Sequence, residues 1–159
     1  RARPERWPSM HSSTCEAARV PSIVPWKHCE AAATVIFDTD IFIWIQRGNA
    51  KAARAVERED ERLLSVQTYM ELLQCAENRT QHMHTKSFLA DFGFSTLPLT
   101  ENIGHRAAVY IEEYGLSHGL RAGDAIIAAT ATETNLVLCT SNVKHFRPIK
   151  DLKLSVFRP

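Results

Sequence analysis

Features that would indicate secretion or membrane insertion are scarce in this sequence of 159 residues. No two of its four cysteines have C-x-x-C spacing, and Cys75 and Cys139 lie in apolar segments that predict buried, reduced thiols. The longest apolar runs, near 41–45 and 125–131, are too short to span a bilayer. No contiguous hydrophobic segment follows the arginines near the amino end, so we expect no secretory signal. These observations favour the cytoplasm.

A large excess of one charge is also missing. The sequence has 19 Lys and Arg against 18 Asp and Glu, which excludes a histone-like polycation and leaves any nucleic acid to local patches. Residues 1–33 contain four of the seven prolines and show no clear periodicity. We therefore expect 1–33 to be an irregular or disordered extension and 34–159 to form a single domain.

From residue 34 onwards, segments typical of strands alternate with segments typical of helices. The pattern predicts strands at 34–38, 63–65, 95–99, 136–139 and 154–156. It predicts helices at 41–46, 50–62, 69–78, 81–91, 101–114 and 125–134. Such alternation is typical of a parallel sheet with helices on both faces. The predicted fold class is α/β, a three-layer α/β/α sandwich with a mainly parallel central sheet.

Acidic side chains fall where the predicted strands end. Asp38 directly follows an apolar strand, Glu71 and Asp124 lie near helix starts, and Asn142 follows the strand at 136–139. Ligands of open parallel sheets bind outside the carboxyl ends of the strands, so we expect these side chains to share one edge. Carboxylates brought together repel each other unless a cation lies between them. The pattern therefore predicts a Mg²⁺ or Mn²⁺ site and phosphate chemistry.

Each acid also has an ordinary structural role open to it. Asp40 precedes an apolar helix and is a natural N-cap. Thr68 and Glu71 have the spacing of a capping box, and Asp124 can cap the helix that follows Gly123. Asp38 is the hardest to explain in this way, because a buried carboxylate without a partner is costly or becomes protonated.

Four blocks carry a family resemblance: VIFDTD at 35–40, SVQTYMEL at 65–72, LRAGDAIIAATA at 120–131 and LCTSNVKHF at 138–146. In order and spacing they resemble the PIN-domain ribonucleases, most closely the VapC-type toxins of bacterial toxin–antitoxin pairs. The resemblance extends over essentially all of 34–159. It implies a Mg²⁺- or Mn²⁺-dependent endoribonuclease that inhibits growth, is neutralised by a cognate antitoxin protein and forms a homodimer.

The resemblance also implies roles for individual residues. Asp38, Glu71 and Asp124 match the three catalytic and metal-binding acids of the family. Asn142 stands where many members have aspartate, and Asp40 adds a carboxylate where asparagine or serine is frequent, so both are possible further ligands. The residues proposed to contact the RNA substrate are two hydroxyls and two cations: Thr140, Ser141, Arg121 and Lys144. His145 and Arg147 are further candidates by their position in the sequence.

Two other function classes remain open at this point. A haloacid dehalogenase-like phosphotransferase also has an Asp-x-Asp motif after its first strand, but Ala128 occupies the position where its second acid would follow Asp124. A non-catalytic PIN-like binding module would be expected to lack one of the three acids. The sequence retains all three.

Overall fold

The computed structural model describes residues 34–159, which form five strands and seven helices. The strands are β1 (Val35–Phe37), β2 (Arg62–Ser65), β3 (Phe94–Leu97), β4 (Val137–Thr140) and β5 (Leu154–Val156). The helices are α1 (Thr39–Gln46), α2 (Ala50–Glu57), α3 (Val66–Gln74), α4 (Arg79–Asp91), α5 (Glu101–His118), α6 (Ala122–Glu133) and α7 (Val143–Phe146). The predicted extension at 1–33 lies outside the described residues. No helix within 34–159 combines the length and the apolar character needed to cross a membrane.

The five strands form one parallel sheet in the order β3-β2-β1-β4-β5. In the central strand, Ile36 is in register with Leu63 of β2 and with Leu138 of β4. The chain first builds outward from β1 through β2 and β3, and then returns to place β4 on the other side of β1. The direction of winding therefore changes between β1 and β4, which is where ligands bind in sheets of this kind.

Two apolar cores lie on opposite faces of the sheet. Ile36 belongs to the core that includes Ile127 of α6, whereas its neighbour Phe37 belongs to the core that includes Phe42 of α1. Successive side chains of a strand point to opposite faces, so one short strand contributes to both cores. The helices accordingly cover both faces, and the predicted three-layer α/β/α class is confirmed.

Some predicted boundaries were wrong. Helix α2 ends at Glu57 rather than at 62, because Arg62 starts β2 and its guanidinium donates to the backbone oxygens of Val56 and Phe92. Helix α5 continues to His118, where Gly119 ends it in the left-handed conformation at φ 70°. The four-residue helix α7 was not predicted. Cys75 is exposed rather than buried, while Cys139 is buried as predicted.

Candidate functional site

Asp38 joins the end of β1 to the start of α1. It is the N-cap of α1: its Oδ1 accepts from the backbone N–H of Thr39 at 2.7 Å, and its Oδ2 accepts from the hydroxyl of Thr140 at 2.7 Å. The side chain is 4% exposed. Burial, followed by the negative charge of Asp40, raises the pKa of Asp38 from 3.8 to about 7, with a smaller contribution from Asp124; the two hydrogen bonds oppose this rise. Asp38 is thus a buried carboxyl group with too little positive charge around it.

Asp40 lies in the first turn of α1 and not at its N-cap, so the predicted capping role was wrong. Its Oδ2 accepts from the backbone N–H of Ser141 at 2.7 Å, from the hydroxyl of Ser141, and from the hydroxyl of Thr140 at 3.3 Å. Its Oδ1 is buried and finds no hydrogen-bond partner among the described residues. A buried oxygen in this state is costly unless another group satisfies it. Asp40 therefore ties α1 to the end of β4 and keeps one free acceptor.

Glu71 does not form the predicted capping box. The N-cap of α3 is Ser65, whose Oγ accepts from the backbone N–H of Thr68 at 3.0 Å. The Glu71 carboxylate instead accepts from the hydroxyl of Thr39 at 2.5 Å through Oε2 and from the amide of Gln67 at 2.9 Å through Oε1. Since Thr39 directly follows Asp38, these bonds hold Glu71 next to the start of α1.

Asp124 is the third residue of α6, which begins after Arg121, so its predicted role as a helix cap was also wrong. Its Oδ2 lies 2.8 Å from Nδ1 of His145 in α7. Because an ionised carboxylate only accepts hydrogen bonds, Nδ1 is the donor in that pair. As a donor to Asp124, Nδ1 of His145 cannot also accept a hydrogen bond from the side-chain nitrogen of Asn142, which lies 3.3 Å away. The backbone N–H of Asn142 donates to the Thr140 hydroxyl at 2.9 Å.

The site therefore draws its side chains from five segments at one end of the sheet. Asp38 and Asp40 share the hydroxyl of Thr140, Thr39 connects the first of these acids to Glu71, and Asp124 lies close enough to raise the pKa of Asp38. The sequence predicted that the strand ends would bring the acidic side chains to one edge of the sheet, and these contacts show that they lie near each other there. Within 34–159, however, no three or more His, Cys, Asp or Glu side chains are already arranged as a metal-binding group.

The predicted substrate residues fall into two groups. Thr140 and Ser141 lie inside the site, where their hydroxyls bind Asp38 and Asp40. Arg121 and Lys144 are exposed, one immediately before α6 and the other on α7. Contact of any of the four with RNA stays a prediction.

Sequence reasoning missed several residues of the site. Thr39 and Gln67 both bind Glu71, and Trp44 donates from its indole N–H to the hydroxyl of Ser141 at 3.1 Å. The spacing of Gln67 and Glu71, four residues apart on one helix, was a usable signal. The contacts of Thr39 and Trp44 depend on tertiary packing and have no such signal.

Comparison with known proteins gives consistent matches. The family model of the PIN domain matches residues 35–151. Ribonuclease VapC10 of Mycobacterium tuberculosis is 33% identical over an alignment of 127 residues, and the match covers 75% of this chain and 90% of that protein. A toxin–antitoxin complex from Klebsiella pneumoniae contains a chain that is 30% identical with a TM-score of 0.63, and the match covers 74% of this chain and 94% of that one. VapBC-1 from nontypeable Haemophilus influenzae contains another at 26% identity with a TM-score of 0.64, covering 77% and 96%.

Proposed function

Because this chain belongs to the PIN-domain family, and within it to the VapC-type ribonucleases, we propose that it is a toxin-type endoribonuclease that cleaves RNA phosphodiester bonds with the help of Mg²⁺ or Mn²⁺. The observation that carries the proposal is the state of Asp38. Its carboxyl group is buried, and burial, followed by the negative charge of Asp40 and to a smaller extent that of Asp124, raises its pKa to about 7 although two hydrogen bonds oppose the rise. A divalent cation is the simplest group that would keep this acid ionised at neutral pH.

The residues of the site fit a hard cation in two further ways. Apart from the ring of His145, whose Nδ1 lies against Asp124, the available donor atoms are carboxylate, amide or hydroxyl oxygens, which are the ligands that Mg²⁺ and Mn²⁺ prefer. One of them, Oδ1 of Asp40, is buried without a hydrogen-bond partner among the described residues. We assign Asp38 and Asp124 as the principal ligands, with Glu71, Asp40 and Asn142 as possible further ligands.

The chain's own residues then divide the work of cleavage. A bound ion supplies positive charge to a phosphate oxygen and lowers the pKa of a water. Glu71 accepts a proton from the attacking water: each of its oxygens accepts one hydrogen bond from the protein, which leaves lone pairs free. The water oxygen attacks the phosphorus in line while the bond from phosphorus to the 3′-oxygen breaks. The departing 3′-oxygen takes a proton from solvent water, which gives 5′-phosphate and 3′-hydroxyl ends.

The predicted substrate residues take different roles in this scheme. Thr140 and Ser141 already donate to Asp38 and Asp40, so their first role is to orient these acids, with phosphate contact as a second role. Arg121 and Lys144 are exposed and free to attract RNA phosphates towards an otherwise acidic site. Because one of the similar structures is a toxin–antitoxin complex, we also propose that an antitoxin protein neutralises this chain. The homodimer that the family resemblance implies stays a prediction.

The direct test is RNA cleavage by the full chain with and without divalent metal. Asp38→Asn and Asp124→Asn should each lower the cleavage rate by about 100-fold or more, since each removes charge from the metal site. Asp60→Asn, which removes the same charge from an exposed turn, is the matched control and should cleave like the wild type. Full activity in either site variant, or full wild-type activity in excess EDTA, would reject the assigned site.

The second test asks which RNA is cut. RNA ends are mapped in cells after expression of the wild type or of Asp38→Asn. Ends with a 5′-phosphate that appear only with the wild type identify the substrate and the cut sequence. The same ends in both cultures would mean that another nuclease produces them.

A further inference from the structure

Gly123, in the first turn of α6, leaves room for the Glu71 carboxylate. A Cβ atom built on Gly123 would lie 2.6 Å from Oε1 of Glu71 and 3.1 Å from the amide nitrogen of Gln67. The φ of Gly123 is not positive, so its backbone conformation is open to any residue. The missing side chain is therefore explained by the close approach of α3 and not by the shape of the backbone.

The Glu71 carboxylate is thus enclosed from three elements. Thr39 of α1 donates to Oε2, Gln67 of α3 donates to Oε1, and the bare backbone of Gly123 in α6 lies against that same Oε1. Two hydrogen-bond donors and a close backbone contact restrict the position of a carboxylate much more than one hydrogen bond does.

We propose that Gly123 and Gln67 are positioning residues, which hold the Glu71 carboxylate in the place where it serves the metal and the attacking water. The inference rests on the proposed ribonuclease function and extends it to two residues outside the acidic set. It explains why the residue before Asp124 is a glycine: the absence of a side chain at Gly123 leaves space for the Glu71 carboxylate. It also assigns the i,i+4 amide–carboxylate pair of α3 to the site instead of to helix stability alone.

The proposal separates activity from stability. The atom closest to the new Cβ is the end of a flexible side chain, so Glu71 can swing away and relieve the collision at little cost to the fold. Alanine is also a better helix former than glycine. We therefore expect Gly123→Ala to unfold at the wild-type temperature or slightly above it while its carboxylate is displaced.

The experiment compares Gly123→Ala with Gly104→Ala in the full chain. Gly104 lies in α5, and a Cβ there would meet no described atom within 4 Å, so it carries the same chemical change without the contact. We expect Gly123→Ala to lower kcat for RNA cleavage by about 10- to 100-fold and to weaken Mn²⁺ binding measured without RNA, as loss of supporting contacts around a metal does. The KM for RNA should stay unchanged, and Gly104→Ala should behave like the wild type in every measurement.

Gln67→Met tests the same claim without adding an atom against Glu71. Methionine keeps the length of glutamine and removes the donor, and Gln74→Met, at an exposed position of the same helix, is its control. We expect a fall in kcat of about 10-fold. Combined with Gly123→Ala, the loss should be smaller than the product of the two single losses, because both act on one carboxylate.

Each remaining outcome is decisive. Cleavage by Gly123→Ala at the rate of Gly104→Ala would overturn the inference. If Gly123→Ala unfolds at a clearly lower temperature than the wild type, its loss of activity has a trivial cause and the Gln67→Met variant becomes the test. In that case equal kcat values for Gln67→Met and Gln74→Met would overturn the inference. A wild type that cuts no RNA would refute the ribonuclease proposal, whereas the Mn²⁺ affinities of Gly123→Ala and Gly104→Ala would still test the positioning of Glu71.

Discussion

Asp38→Asn should stabilise the metal-free protein at pH 8 although it destroys the proposed site. The wild-type carboxyl has a pKa raised to about 7 by burial and by Asp40, so ionising it in the folded state costs free energy. Asparagine has the same shape and no charge. Its oxygen can still accept from Thr39, and its amide can donate to Thr140, whose own hydroxyl can then turn to Asp40 at 3.3 Å.

The size of the effect follows from the pKa in the two states. The difference between 3.8 in the unfolded chain and about 7 in the folded chain corresponds to roughly 4 kcal/mol of lost stability. The loss is absent below pH 3.8, where both states are protonated, grows by about 1.4 kcal/mol per pH unit up to about pH 7, and then levels off. Weaker hydrogen bonds to the neutral amide offset part of the gain, so we expect a net stabilisation at pH 8 of about 1–3 kcal/mol.

Thermal unfolding followed by circular dichroism in EDTA measures this directly. The expected gain corresponds to a rise in Tm of about 3–10 °C at pH 8. Towards pH 4 the cost of ionising the wild-type carboxyl disappears while the weaker hydrogen bonds of the amide remain, so the gain should vanish and become a loss. Asp60→Asn, the exposed control, separates a local effect from a change in net charge. If Asp38→Asn unfolds below the wild type at pH 8, or if its advantage does not depend on pH, then Asp38 is not the uncompensated buried acid described above.

Two further predictions follow from the same site and from the domain boundary. Mg²⁺ or Mn²⁺ at about 100 times its Kd should stabilise the wild type by about 2.7 kcal/mol and Asp38→Asn by less; a wild-type Tm unchanged by millimolar metal would contradict the metal assignment. Deletion of residues 1–33 should leave the cleavage rate and the Tm of the remaining chain unchanged, since the domain is proposed to span 34–159; an unfolded or inactive truncated protein would show that the boundary is misplaced.

The strands and the layer order were predictable because they depend on simple periodicity. Short apolar segments such as Val35–Phe37 are typical of buried strands, and their alternation with helical segments leaves few topologies. The first residue of a helix was harder to predict where two suitable N-cap residues lie close together in the sequence. Ser65 and Thr68 are both suitable N-caps, and Ser65 takes the role because β2 pairs with β3 as far as Ser65, which is fully buried. That choice is made by the sheet and not by the local sequence.

The end of α2 shows a tertiary contact overriding local preference. The charged residues at 57–62 have a composition that is compatible with a helix, and the prediction extended the helix through them. Arg62 instead donates to the backbone oxygens of Val56, Glu57 and Phe92, and so closes the turn that leads into β2. Bonds between segments thirty residues apart are not visible in a local pattern.

For the candidate site, the placement of the acids at one edge of the sheet was predictable and their hydrogen-bond partners were not, while their roles in catalysis stay predictions. Parallel strands place their carboxyl ends at one edge, so an acid after a strand is easily assigned to that edge. The contacts of Gly123 with Glu71 and of His145 with Asp124 depend on how closely α6 approaches α3 and α7, which only the folded chain defines. A glycine with an ordinary φ leaves no signal at all in a single sequence.

Asp38 shows that one carboxylate can both cap a helix and be a candidate metal ligand. The Oδ1 atom of Asp38 caps α1, and its Oδ2 atom accepts a hydrogen bond from Thr140. Burial nevertheless raises the pKa of Asp38 to about 7. A helix N-terminus and a hydroxyl are the compensation that a protein can offer a buried carboxylate without a cation. That compensation is present and is not enough, so the helix cap supports the proposed metal site instead of replacing it. The fold orients the Asp38 carboxylate with its own donors and leaves charge that the proposed ion would neutralise.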